Sequence, residues 1–401
     1  MAKTNLNTWF MKRLESLRKQ SADQPPFLPS PRPRPLTPST SDDFISQPPT
    51  CLFFSKLPAE TRRAILLMAF GEHTLHIDIV FDYPLLPPPP AGTQKFPNHA
   101  GIYTQDDKAP VRRKSWRWGG AVCHRNSPTQ RQDSFSLRFR LGPWADNCMR
   151  GDGQACSLWE GVWPDKCRVG IMGFLCSCRQ AYAEGTDILY GSNCISITSE
   201  PLMLHLPQLL LPQRLASITS MELLINGYGS KQQYNDGYVD LARLPPILHH
   251  LTTHCQSLKS LLLSLNISDW ANAKDFIDGP TLPIIDTFYL SMELREMLVE
   301  VPELIYNAWR EHVTVVPHHP LEPPKESPSP GSNPWRCLDG NHEKAHPKAE
   351  MQWRTLANYP RSPLQLPTPE NAGRCVPSRG YWIKDGKHDP TPPRFFSCGI
   401  P

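Results

Sequence analysis

Two hydrophobic periods alternate along the middle of this 401-residue chain, and they change over at glycine, proline or asparagine. In residues 53–80, Pro58 suits a first helical turn, Glu60 favours the positive end of the helix, and Gly71 stops it. Ile65, Met68 and Ala69 form the apolar stripe of that helix. Leu75, Ile77 and Ile79 then alternate with His76, Asp78 and Val80, which predicts a strand. Residues 168–198 repeat the theme: Ile171, Leu175, Cys178, Tyr182 and Leu189 share a helical spacing, so one continuous helix is expected up to Gly191. Ile195 and Ile197 come next as a strand.

After residue 200 strand-like runs recur at 221–225, 258–265 and 295–301. Between them LARLPPILHHLTTHCQSL supplies a helix, with its register disturbed at Pro245-Pro246, and PIIDTFYLSMEL supplies another. Alternating strands and helices imply right-handed crossovers and a largely parallel sheet. The predicted fold is one mixed α/β domain over residues 51–316. An irregular leucine-rich-repeat-like stack would give similar spacing, but its consensus is absent.

Composition changes the picture at the flanks. Nine of the 45 prolines lie in residues 21–49 and seventeen in 317–401, so 21–50 is expected to be a disordered linker and 317–401 a mostly disordered tail. Within the tail, WRCLDG and RGYWIKDG have the pattern to add strands or dock. Residues 1–20 read as an amphipathic basic helix, with Leu6, Phe10, Leu14 and Leu17 on one face. Residues 84–133, opened by LLPPPPAG, read as a basic insertion.

No run of eighteen apolar residues occurs, so no membrane span is expected, and without an apolar core near the start no secretory segment is expected either. The twelve cysteines are then expected to be reduced, in cytoplasm or nucleus. A net charge of +4 imposes no global field toward nucleic acid or membrane.

The opening Leu57-Pro58-x-Glu60, with Ile65 beyond it, resembles the start of an F-box, a motif that docks ubiquitin-ligase scaffolds. Thr61 stands where that pattern has a large aliphatic residue, and a strand arrives where the pattern has further helices. Together, LPAETRR…GEHTLHI, DKCRVGIMGFLCSCRQAYAEGTDILYGSN and LLLPQRLASITSMELLI resemble an uncharacterised filamentous-fungal family. Its members carry a domain of unknown function with an F-box-like beginning. The resemblance implies a fold and a partner-binding role for Leu57, Pro58, Glu60 and Ile65. It brings no catalytic residues.

Three other constellations carry candidate chemistry. Residues 108–140 hold nine Lys or Arg against Asp133 alone, and Arg113, Lys114, Trp116, Arg117 and Trp118 interleave charge with stacking surface. That is the footprint of a nucleic-acid contact; a solvated loop is the plainer expectation. Cys148, Cys156 and Cys167 flank a Gly- and Trp-rich loop and are weak candidates for a structural zinc, since the close Cys pairs of most zinc sites are missing. His342-Glu343-Lys344-Ala345-His346 matches H-E-x-x-H, but Gly340 and Pro347 bracket it and no apolar face would pack such a helix. No nucleophile elbow, P-loop or dinucleotide fingerprint occurs. The expectation is therefore a non-enzymatic protein-interaction module, an F-box-like adaptor for a ubiquitin-ligase scaffold, without an obligatory cofactor. A nucleic-acid-associated protein using 108–140 is the alternative.

Overall fold

The computed structural model describes residues 24–29, 51–86, 98–102, 114–125, 148–151, 154–227, 243–267, 279–315, 335–337 and 380–386, with Pro143, Asp146 and Phe276. The H-E-x-x-H segment and residues 1–20 lie outside them. The strands are β1 (Thr74–Asp82), β2 (Ser115–Val122), β3 (Cys194–Ile197), β4 (Ser220–Gly227), β5 (Ser260–Ile267), β6 (Glu296–Pro302), β7 (Trp335–Cys337) and β8 (Gly380–Gly386). They form one sheet in the order β2-β1-β3-β4-β5-β6-β8-β7. The six central strands run parallel, and β2 and β7 pair antiparallel at the edges.

Each parallel strand is laid beside the one before it, so crossovers of the usual hand place their helices on one face. The core agrees. Leu75, Ile195, Met221, Leu261 and Met297 form one cross-strand ladder, and Ile197, Leu223, Leu263, Val299 and Ile383 form the next. All ten belong to a single apolar core. The helices that bury this face include α6 (Glu200–Leu204), α7 (Leu206–Leu209), α8 (Pro212–Ser217), α9 (Leu244–His254) and α10 (Thr281–Ser291), through residues such as Met203, Leu215, Leu251 and Phe288. Pro245 and Pro246 do not disturb α9. They occupy its opening turn, where the missing N–H groups would have had no helical partner.

The opposite face carries the alternate positions, and here buried polar groups stand in register with the buried Leu224, Leu262 and Leu298. His76, Asp78, Ser196, Glu222, Ser264 and Glu300 are all almost fully enclosed. Such groups are tolerated only when partnered. Asp78 accepts from the Thr198 and Ser199 backbone N–H groups, both at 2.8 Å, and from the Thr198 hydroxyl at 2.6 Å. Ser264 donates to Glu300 at 2.9 Å.

The amino-terminal helices are α1 (Leu52–Lys56) and α2 (Ala59–Phe70), the latter bounded by Pro58 and Gly71 as the sequence predicts. The stripe is different: α2 buries Arg62 and Leu66, while Ile65 and Met68 face solvent. The helix is apolar on more than one side, so its stripe did not define the buried face. Arg62 clamps α2 to α5 (Arg179–Gly191), donating to both Glu184 carboxylate oxygens at 2.7 and 3.1 Å and to the Leu57 carbonyl at 2.7 Å. The two most distinctive sequence blocks are thus bonded to each other.

The single helix expected over 171–191 is two. α4 (Met172–Leu175) ends, Cys178 turns extended, and its sulfur accepts from the Ala181 N–H at 3.4 Å as the cap of α5. α4 folds back over Gly185, where an added Cβ would lie 2.6 Å from the Leu175 side chain. Asn193 works through its side chain: it donates to the Phe70 carbonyl at the end of α2 and to the Leu189 carbonyl in the last turn of α5, and accepts from the His73 N–H.

Two flanking segments join the body. Residues 335–337 and 380–386 of the tail supply β7 and β8, with Tyr381 and Ile383 fully buried. In the proline-rich segment, the Leu28 N–H donates to the Gln208 carbonyl and Phe27 packs edge-on against His205.

Candidate functional site

β2 is a strand the sequence pattern did not reveal, and its two ends carry most of the candidate chemistry. It pairs along all of β1, from Leu75 opposite Val122 to Asp82 opposite Ser115. The pairing engages the basic-aromatic candidates with their neighbours. Arg117 pairs with Asp82 at 3.2 Å, the Lys114 ammonium lies 5.2 Å over the Tyr83 ring, and Trp116 packs on Phe81. Trp118 is exposed. Arg113 lies outside the described residues.

At the end of β2 the chain enters the sheet's mixed face and builds two clusters side by side. The first joins His76, Cys123, Asp146 and Cys148, whose donor atoms lie within 4.8 Å of one another. Asp146 is its centre. One carboxylate oxygen receives the Cys123 thiol at 2.9 Å, Arg125 at 3.2 Å and His76 Nε2 at 3.0 Å, the last at ion-pair distance without hydrogen-bond alignment. The other oxygen accepts the Cys148 N–H at 2.7 Å. Arg125 continues to both oxygens of Glu222, at 3.0 and 3.1 Å.

Burial opposes every charge here, yet the partners win. Burial raises the Asp146 carboxyl, but His76 and Arg125 hold it well below the usual range. Burial lowers His76, but Asp146 and Cys123 hold it well above its ordinary value. Two cations therefore face two carboxylates, and the cluster is internally neutral. Burial also pushes the Cys123 thiol well up, with the Cys148 bond adding to it. That is the reverse of an activated nucleophile.

The second cluster is His99, His124, Cys156 and Cys167, all buried, with one nitrogen or sulfur from each within 4.8 Å of the others. His99 sits in a single turn, His99–Gly101; Cys156 lies in α3 (Gln154–Ser157); Cys167 closes the turn Asp165–Cys167. The two sulfurs are 3.3 Å apart. His99 Nε2 donates to the Val122 carbonyl at 2.9 Å. The His124 ring meets the His99 ring edge-on and stacks on Trp159, both at 4.6 Å. Two indoles tie these loops together, Trp163 Nε1 to the Asn98 carbonyl and Trp159 Nε1 to the His124 carbonyl.

The electrostatics differ sharply from the first cluster. Burial, helped by His99, drives His124 down to about 3. Burial and the bond to Cys167 push Cys156 up to about 12. Among the described residues no carboxylate counters either shift. Either cluster has a donor set a metal can use, four side chains each.

The three cysteines proposed from sequence are therefore divided. Cys156 and Cys167 meet in the second cluster, and Cys148 belongs to the first, where its sulfur accepts the His124 N–H at 3.3 Å. His99 and His124 were not among the metal candidates. Of the F-box-like candidates, Pro58, Glu60 and Ile65 are exposed, and Leu57 is half-buried with its carbonyl held by Arg62.

A family model described as a domain of unknown function, DUF7730, matches residues 114–238. It spans β2 to the end of β4 and takes in His124, Cys156 and Cys167. No curated protein and no solved structure matches the chain.

Proposed function

We propose that this chain is a non-enzymatic interaction protein that docks a partner through the outer face of α1 and α2, as an F-box-like substrate adaptor docks a ubiquitin-ligase scaffold. The observation carrying the reading is apolar exposure on an anchored support. Leu52 is 71%, Ile65 41% and Met68 87% exposed. Ile65 and Met68 are three residues apart and share one helix face. Another side of α2 is fixed to α5 by Arg62, with Leu66 buried one turn on. Large apolar side chains held outward on a rigid helix are what helix-in-groove recognition uses.

The interior supports the non-enzymatic half of the reading. Cys123, His76 and Asp146 would be nucleophile, base and orienter, but all three are enclosed and the thiol is disfavoured as thiolate. The nucleic-acid alternative has less behind it, because Lys114 and Arg117 already have partners on β1 and its flank.

A pull-down with a purified scaffold subunit that receives F-box adaptors tests this. Wild-type chain is expected to be retained, and an Ile65→Glu, Met68→Glu double variant to be lost, with its circular dichroism and melting temperature unchanged. Equal retention of both, or of neither, contradicts the reading. Steeply salt-dependent binding of an oligonucleotide would favour the alternative instead.

A further inference from the structure

We propose that His99, His124, Cys156 and Cys167 form a structural zinc centre that fastens the long β1–β2 connection and the loop before α4 to the edge of the sheet. Two thiolates and two neutral imidazoles match the borderline-soft, four-coordinate preference of zinc. They also carry two negative charges, so the dication makes a neutral unit in a buried place. The first cluster offers the same number of donors but a different balance. Its carboxylates are already matched by Arg125 and His76, and a dication there would sit against a guanidinium.

The geometry around the imidazoles is that of metal ligands. A carbonyl can only accept, so His99 must carry its proton on Nε2, which leaves the lone pair on Nδ1. Such a bond from the remote nitrogen to a backbone carbonyl fixes both tautomer and ring direction at metal sites. His124 is held by its stack on Trp159, and neither of its ring nitrogens makes a hydrogen bond of ordinary geometry. Zinc–sulfur bonds of about 2.3 Å in a tetrahedron set the sulfurs about 3.8 Å apart, so the pair at 3.3 Å need open by only about half an ångström.

The location explains the need. Ligands come from segments 98–102, 123–125 and 154–167, which among the described residues contain the exit of β2 and single helical turns, and none of their residues belongs to the apolar core. A closed set of four protein ligands, all buried, leaves no open position for substrate, so the role is structural.

Elemental analysis of full-length protein purified without chelator is the test. The expected result is one zinc per chain in wild type and in a Cys123→Ser, Cys148→Ser variant, and none in a Cys156→Ser, Cys167→Ser variant. Metal-free wild type overturns the proposal, as does a Cys156–Cys167 disulfide in its place. Loss of zinc from the Cys123/Cys148 variant alone moves the site to the other cluster and also overturns it. Should the serine variants not fold, cobalt(II)-exchanged wild type is compared with His99→Cys. The added thiolate is expected to shift the visible bands to longer wavelength, and an unshifted spectrum contradicts the assignment.

Discussion

Arg62, Glu184 and Asn193 show how single polar residues hold this molecule. Burial raises the Glu184 carboxyl, but hydrogen bonds from Arg62 and Gln180 outweigh it and hold the group below its ordinary value near 4.5. A carboxylate with a depressed folded value stabilises above the unfolded value, and the contribution is lost as pH falls through the folded one. The melting-temperature gap between wild type and Glu184→Gln is therefore expected to be full above about pH 5 and to shrink in acid. A gap independent of pH would contradict the clamp. Glu222→Ala strips Arg125 of one of two carboxylates in a buried site. A loss of about 3–5 kcal/mol is expected in urea unfolding, and a loss below about 1 would mean that the charge is solvated after all. Neither pair is visible in sequence, since Arg62 and Glu184 are separated by 122 positions.

Among elements, the parallel strands were legible because their apolar positions alternate and turn signals bound them. β2 was not. Its SWRWGGAV has glycines and charges where a strand would show alternation, and it becomes a strand only through β1. The break between α4 and α5 was hidden too: helical spacing continues through it, and cysteine is not a usual cap residue. β8 teaches the opposite lesson, since a strand-like pattern in a proline-rich tail folds into the core. The Tyr381 ring is fully enclosed and its hydroxyl donates to Asp286 at 2.8 Å. Tyr381→Ala is expected to cost about 3–5 kcal/mol, measured by denaturant unfolding. A cost near zero would mean that β8 does not belong to the folded body.

For the whole molecule, a sheet with one apolar face and one face of mixed polar and leucine positions divides the work. Helices cover the apolar side, and charged pairs with the two side-chain clusters occupy the other. The second cluster was half-legible: Cys156 and Cys167, with Cys148, flank a Gly- and Trp-rich loop with little regular structure of its own, which is the signal that singled them out. His99 and His124 gave no such signal, because 24 residues of chain lie between them and the sheet edge alone brings their rings to 4.6 Å. No helix among the described residues is long and apolar enough to cross a membrane. The exposed side of α1 and α2 and the buried group His99, His124, Cys156 and Cys167 thus belong to one folded body.

Native mass spectrometry of the intact chain decides whether that set is filled. The expected species has the sequence mass plus one zinc ion less two protons, one from each thiol of Cys156 and Cys167, and it collapses to the bare mass on acid denaturation. A native species at the metal-free mass, or one lacking two hydrogens as a disulfide would, contradicts the zinc centre.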